Sequence, residues 1–188
     1  MANNGLGPEG AKILADMLSV NSYMTKMDIW GNKIGAEGAN AIVNAAPAQM
    51  RTLCGDMFEE GQTEADLSGK KLGAEGAILI VWDLRAGFVS ASMKKIKVHK
   101  CELPIDVLKT GAEVDLSGQN LRVEDAIIIA ACINVNSLMN KLNILGNSIG
   151  DEGYEMLMKL AEEKGMVTFC GFEEGQTEAN LSYKGLGP

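Results

Sequence analysis

The sequence predicts an α/β solenoid: a curved stack of coils with a parallel sheet on its concave face and helices on its convex face. Three observations predict it. One short frame returns along the chain, each return alternates a period-2 segment with a period-3.6 segment, and the whole series duplicates after about 115 residues.

The frame is clearest around Met27, Ile29, Asn32, Ile34 and Gly38, and returns around Leu142, Ile144, Asn147, Ile149 and Gly153. Further copies surround Leu67 and Leu72, and Leu116 and Leu121. The anchor positions Leu6, Ile34, Leu72, Leu121, Ile149 and Leu186 are spaced 28, 38, 49, 28 and 37 residues apart. The segment from Phe58 to Ala65 recurs unchanged from Phe172 to Ala179, which confirms the duplication. The chain is thus read as one domain over 1–188, about 1.6 copies of a 115-residue super-repeat, without capping repeats. The wide spacings leave room for short helix-free coils. One is at residues 50–55, and another is at 96–103, where Ile96, Val98, Cys101 and Leu103 fit the same frame.

In chain order the expected strands are 24–29, 50–54, 62–67, 93–98, 112–116, 139–144, 166–170 and 176–181. The expected helices are 8–19, 36–46, 74–87, 123–135 and 151–164. Ala11, Leu14, Ala15 and Leu18 make the buried stripe of the first helix at i, i+3, i+4 and i+7. Glu9, Glu37, Glu75, Glu124 and Glu152 each fall in a first turn, where a carboxylate suits the positive end of the helix dipole.

Composition narrows the function. Lys and Arg number 17 against 25 Asp and Glu, leaving a net charge of −8. Phosphate-backbone binding needs a cationic footprint, so no nucleic-acid partner is expected. At 46% apolar residues the chain can build a sizeable core. The longest apolar runs, 77–82 and 126–133, fall well short of the ~20 residues that span a bilayer, so no membrane insertion is expected. The first residues lack the basic-then-apolar pattern of a secretory signal, and the expected location is intracellular, in the cytoplasm. Cys54, Cys101, Cys132 and Cys170 are then reduced, mostly buried thiols.

The frame from Met24 and Met27 through Ile29, Asn32, Ile34 and Gly38 to Ile42 resembles the leucine-rich repeat of the ribonuclease-inhibitor-like type. The frame from Met139 through Leu142, Ile144, Asn147, Ile149 and Gly153 to Leu157 matches it equally well, and weaker copies extend it over the rest of the chain. The resemblance implies that the asparagine side chain bonds backbone in the neighbouring turn, a role open to Asn4, Asn32 and Asn147. Lys70, Gln119 and Cys101 depart from it.

No phosphate loop, nucleophile elbow or metal-spaced histidine cluster is present, and His99 is the single histidine. No enzyme, cofactor or metal site is therefore expected. The candidate residues are all partner-binding. Lys95, Lys97 and His99 alternate with Ile96 and Val98 and should face the concave surface. There they either dock an acidic partner or are neutralised by Glu64, Asp66, Glu113 and Asp115 on adjacent strands. Trp30 is either an exposed anchor or folded over a neighbour. Ile78, Trp82 and Ile127 occupy outer helix columns that sibling helices fill with Lys12, Asp16, Asn40, Asn44, Glu155 and Lys159. They are either a convex docking patch or lie beneath the loop at 99–110. Both chain ends fall inside repeats, so the chain is either a piece of a longer repeat protein or has its ends covered by other chains. The function expected from this set is a non-catalytic protein–protein interaction module or scaffold. The alternatives are a permanent structural subunit of a larger assembly and a regulator of a partner enzyme such as a small GTPase.

Overall fold

The structure, a computed structural model, describes residues 4–85 and 92–166. It is mixed helix and strand with small sheets. Two compact units divide the chain, one comprising Met1–Ala65 and Lys71–Met93, the other Asp66–Lys70 and Lys94–Pro188.

In the first unit, α1 (Gly7–Ser19), α2 (Gly35–Ala45) and α3 (Ala74–Arg85) pack in sequence, α1 on α2 and α2 on α3. The stripe expected on α1 is the buried one: Ala11, Leu14, Ala15 and Leu18. Gly38 lets α2 approach, because a Cβ there would lie 2.8 Å from the Cβ of Ala11. The strands expected at 24–29 and 50–54 are reduced to isolated bridges, Lys26 with Thr52 and Asp28 with Cys54. Their backbones still meet: Met27 N–H donates to the Thr52 carbonyl (3.0 Å) and Ile29 N–H to that of Leu53 (3.1 Å). No helix separates α2 from α3, so this coil is helix-free as expected. Its backbone is held by a carboxylate instead. Asp83 of α3, fully buried, accepts Leu53 N–H at Oδ1 (2.8 Å) and the Thr52 hydroxyl at Oδ2 (2.7 Å).

In the second unit, β2 (Lys95–Val98) and β3 (Cys101–Pro104) form an antiparallel hairpin that pairs Ile96 with Leu103 and Val98 with Cys101. α4 (Ile105–Thr110) follows directly. This corrects two expectations: the frame at 96–103 is a hairpin rather than one strand of a parallel sheet, and the coil at 99–110 carries a helix. The reason is local. His99 and Lys100 form a tight turn with His99 in the left-handed region (φ 52°), which reverses the chain and continues the in–out alternation on the way back. β4 (Glu113–Asp115) and β5 (Lys141–Asn143) do form a parallel ladder, and α5 (Val123–Asn134) packs on α6 (Gly150–Lys164). β1 (Glu64–Asp66) lies at the division between the units, and Leu67 N–H donates to the Lys97 carbonyl (2.8 Å). The strand expected at 176–181, most of that at 166–170 and the anchor Leu186 lie outside the described residues.

The asparagines bond between successive turns. Asn147 Oδ1 accepts Leu121 N–H (3.0 Å), and its Nδ2 donates to the carbonyls of Leu116 and Ile144 (both 2.8 Å). Asn32 accepts Asn4 N–H (2.9 Å) and donates to the Ile29 carbonyl (2.8 Å). Each replaces water that a buried turn cannot reach.

Asp83 generates a prediction. Asp83→Ala strands the donors of Thr52 and Leu53 and should cost about 1–3 kcal/mol of unfolding free energy by urea denaturation. Burial holds the Asp83 carboxyl above its ordinary range despite its donors. Its contribution is therefore fully present below the ordinary carboxylate pKa and declines as pH rises through the raised value. Asp83→Asn, which cannot ionise, should remove that decline from a stability–pH profile.

Candidate partner-binding surface

Two lysines of the basic strand are ion-paired within their own unit. Lys97 Nζ lies 3.2 Å from Asp66 Oδ2, and Lys95 Nζ lies 2.9 Å from Glu102 Oε1. One partner of Lys95 is therefore on the returning strand of the hairpin, and Glu113 pairs with Lys141 (3.1 Å). His99 does not continue the row of Lys95 and Lys97, because the turn ends the alternation there. Its ring is half-buried with Nδ1 out of contact with solvent, and among the described residues neither this atom nor the buried Asp125 Oδ1 meets a hydrogen-bond partner.

The acidic residues at the strand ends have a second role that the charge reading missed. Asp28, Asp66, Asp115 and Asn143 occupy one column of the repeat, and each accepts the N–H two residues on. These donors are Trp30 (3.0 Å), Ser68 (2.8 Å), Ser117 (2.8 Å) and Leu145 (3.2 Å). The column is a set of Asx turns that bends the chain out of each strand. Bonds from Ser68 first, then the Lys97 ammonium, hold the Asp66 carboxyl down at about 2.

Trp30 is half-buried, its ring laid over α3. A Cβ on Gly76 would come 2.9 Å from the ring carbon Cη2. Ile78 and Trp82 on α3 and Ile127 on α5 are likewise half-buried. The largest apolar exposures lie elsewhere. Ile13 and Met17 on α1 are 64% and 63% exposed, and Val20 and Tyr23 just after it are 85% and 89% exposed. Val135 and Leu138, just after α5, are 60% and 62% exposed. The sequence did carry a signal for the first two: Ile13 and Met17 are apolar yet outside the stripe of Ala11, Leu14, Ala15 and Leu18.

The turns that carry Tyr23 and Leu138 are built alike, 115 residues apart. Asn21 Oδ1 accepts Tyr23 N–H (2.9 Å) and Met24 N–H (2.8 Å). Asn136 Oδ1 accepts Leu138 N–H (2.7 Å) and Met139 N–H (3.1 Å). Each exposed side chain thus stands on a backbone pinned by its own turn.

Cys54 and Cys101 are buried free thiols, and Cys132 is buried as well. Burial, then the charge of Asp83, pushes the Cys54 thiol well up, and burial, then Asp125, pushes that of Cys101 to about 11. Neither is a thiolate near neutral pH. Among the described residues no group of three or more His, Cys, Asp or Glu side chains could hold a metal ion. Nor is any helix among them long and apolar enough to cross a membrane.

The ion pairs generate a prediction. The double change Lys95→Glu and Lys97→Glu sets like charges against Glu102 and Asp66, so the melting temperature should fall, and fall less at high salt. Lys97→Met alone should leave the Asp66 titration midpoint, followed by NMR, below the ordinary carboxylate value, since both Ser68 bonds remain. A midpoint restored to the ordinary value would make Lys97 the main cause. Because the folded value is depressed, the stability Asp66 contributes is present above the ordinary carboxylate pKa and lost as pH falls towards 2.

The family model described as Leucine Rich repeat matches residues 20–43 and 135–158. Each match begins at the turn with the exposed apolar pair and passes through the Asn32 or Asn147 turn into α2 or α6. A search of curated proteins gave no match. The chain carries two leucine-rich repeats, a kind of repeat that generally mediates protein–protein interaction.

Proposed function

We propose that this chain is a non-catalytic protein-interaction module, a scaffold that binds a protein partner through the apolar turns after α1 and α5. The observation that carries the reading is their repetition: Val20 with Tyr23, and Val135 with Leu138, are exposed at the same place in both copies of the duplication. Large apolar side chains on a pinned backbone lose little entropy when a partner covers them, which is what a binding anchor requires. The paired state of Lys95 and Lys97 favours apolar over electrostatic recognition. The raised thiols of Cys54 and Cys101 support a non-catalytic role. We take the repeats to be of the ribonuclease-inhibitor-like type, stacked as a solenoid. The helices of 11 to 15 residues that close four of the coils support this, as do the asparagine bonds between turns.

The double change Tyr23→Asp and Leu138→Asp tests the proposal. Both side chains are exposed, so the melting temperature should hold, while partners cross-linked to the native protein in its source cells should be lost. An unchanged cross-linking pattern would show that the turns are not the docking surface.

A further inference from the structure

One buried position of the helices breaks its own column. Four residues after the anchors Leu6, Ile34, Leu72 and Ile149 stand Gly10, Gly38, Gly76 and Gly153, but four after Leu121 stands Asp125. Asp125 is fully buried in the first turn of α5. Its Oδ2 accepts Arg122 N–H (2.8 Å), while among the described residues nothing donates to its Oδ1, an atom out of contact with solvent. His99 Nδ1 is in the same condition, and no other buried side-chain atom among the described residues shares it. A buried polar atom left alone costs more than a typical hydrogen bond returns, so each calls for a partner.

The repeat brings the two together. His99 directly follows the strand residue Val98, as Trp30 follows Ile29, so it stands in the column of Trp30. In the first unit Trp30 lies over Gly76, where an added Cβ would come 2.9 Å from the ring carbon Cη2. The second unit fills both columns with polar residues, His99 for the indole and Asp125 for the glycine. Burial raises the Asp125 carboxyl, and the Arg122 N–H bond and then the charge of His99 lower it. The other charges acting on it are Glu124 and Arg122 at the start of α5, of opposite sign. Cys101 of β3 lies close enough to feel the Asp125 charge, but as a neutral thiol. Lys100, beside His99 in the turn, is exposed, and Lys97 and Glu102 are engaged with Asp66 and Lys95.

We propose that His99 and Asp125 form a proton-operated clasp, in which one proton held between Nδ1 and Oδ1 ties the hairpin turn to the start of α5. Without that proton an imidazole lone pair and a carboxylate oxygen, both acceptors, face each other and the clasp is open. With it both atoms are satisfied, whichever holds the proton more closely, and the bond is charge-assisted. An imidazole ordinarily changes charge between about pH 5 and 8, and uptake by two coupled groups belongs to the pair. The folded pair gains a proton bond that the unfolded chain lacks. The stability it contributes is therefore present at the acid end of that range and lost as pH rises through it. The clasp uses neither Tyr23 nor Leu138, and stands or falls independently of the partner-binding reading.

Thermal melts of the full chain across that pH range, beside the variant Asp125→Asn, test it. In the variant the amide oxygen keeps the Arg122 N–H, and the amide Nδ2 offers a donor to the neutral imidazole. That variant makes its bond at high pH and loses it when the ring is protonated, so the native protein should gain on it as pH falls. Asp125→Gly, which restores the residue of the sibling helices, repeats the comparison if the asparagine variant does not fold, and there the native advantage at low pH should also appear. His99→Asn tolerates the left-handed backbone of the turn and should remove the native dependence. His99 is the single histidine of the chain, so its ring resonances identify it in NMR. The native ring should keep its proton to higher pH than the ring of either Asp125 variant. Melting profiles that run parallel in native protein and variants, or a ring titration unmoved by the loss of the carboxylate, overturn the proposal.

Discussion

The structure depends on satisfying the backbone where one coil meets the next. A coil that turns beneath a neighbour leaves N–H and carbonyl groups that water cannot reach, and each such group left alone costs more than a typical hydrogen bond returns. Side chains supply the missing partners. Asn147 joins Leu121 N–H to the carbonyls of Leu116 and Ile144, Asn136 joins two turns in the same way, and Asp83 gathers the donors of Thr52 and Leu53. The apolar stripes then pack because the polar frame holds the coils in register.

The column of Met17, Asp83 and Cys132 shows how that constraint selects residues. α3 follows a coil without a helix, in which Leu53 and Cys54 N–H donate to Asp83, and the column holds that carboxylate. α5 follows a coil in which a hairpin and a short helix satisfy those groups internally, and the column holds an apolar thiol, buried at 2% exposure. The residue in this column thus records what kind of coil lies before it. Burying Asp83 is costly, as its raised carboxyl shows, and the position tolerates it only where the donors need it.

Much of this was legible in the sequence. The long helices were, because an apolar stripe at 3.6 spacing beside a first-turn glutamate has few other readings; α1, α2, α3, α5 and α6 lie within about two residues of their expected bounds. α4 was missed because six residues are too short to display a period, and Pro104 before it reads as a break. The hairpin was missed for a sharper reason. Ile96, Val98, Cys101 and Leu103 give the same letters whether the chain continues past His99 as one coil or reverses there. Only the backbone at His99, in a conformation uncommon for a residue with a side chain, separates the two. That single turn also decides the electrostatics, because it brings Glu102 beside Lys95.

Exposure was the least legible property. Apolar identity tells that a side chain could be covered, not whether a neighbour is there to do it. Ile78, Trp82 and Ile127 break the polar pattern of their columns, yet all are half-buried, and Ile13, in a column that is apolar in every helix, is among the exposed. A column of one residue type along a repeat chain carries the record of a shared neighbour, and the informative position is the member that stands exposed. The Asx column makes the complementary point. Asp28, Asp66 and Asp115 look like a charged row, and Asn143 breaks the charge while keeping the turn. What the four positions have in common is a short side chain with an oxygen to accept the N–H two residues on. In this chain, then, the role of a column is read from the member that departs from it: Asn143 separates turn from charge, Asp83 separates donor-rich coils from satisfied ones, and Ile13 separates packing from exposure.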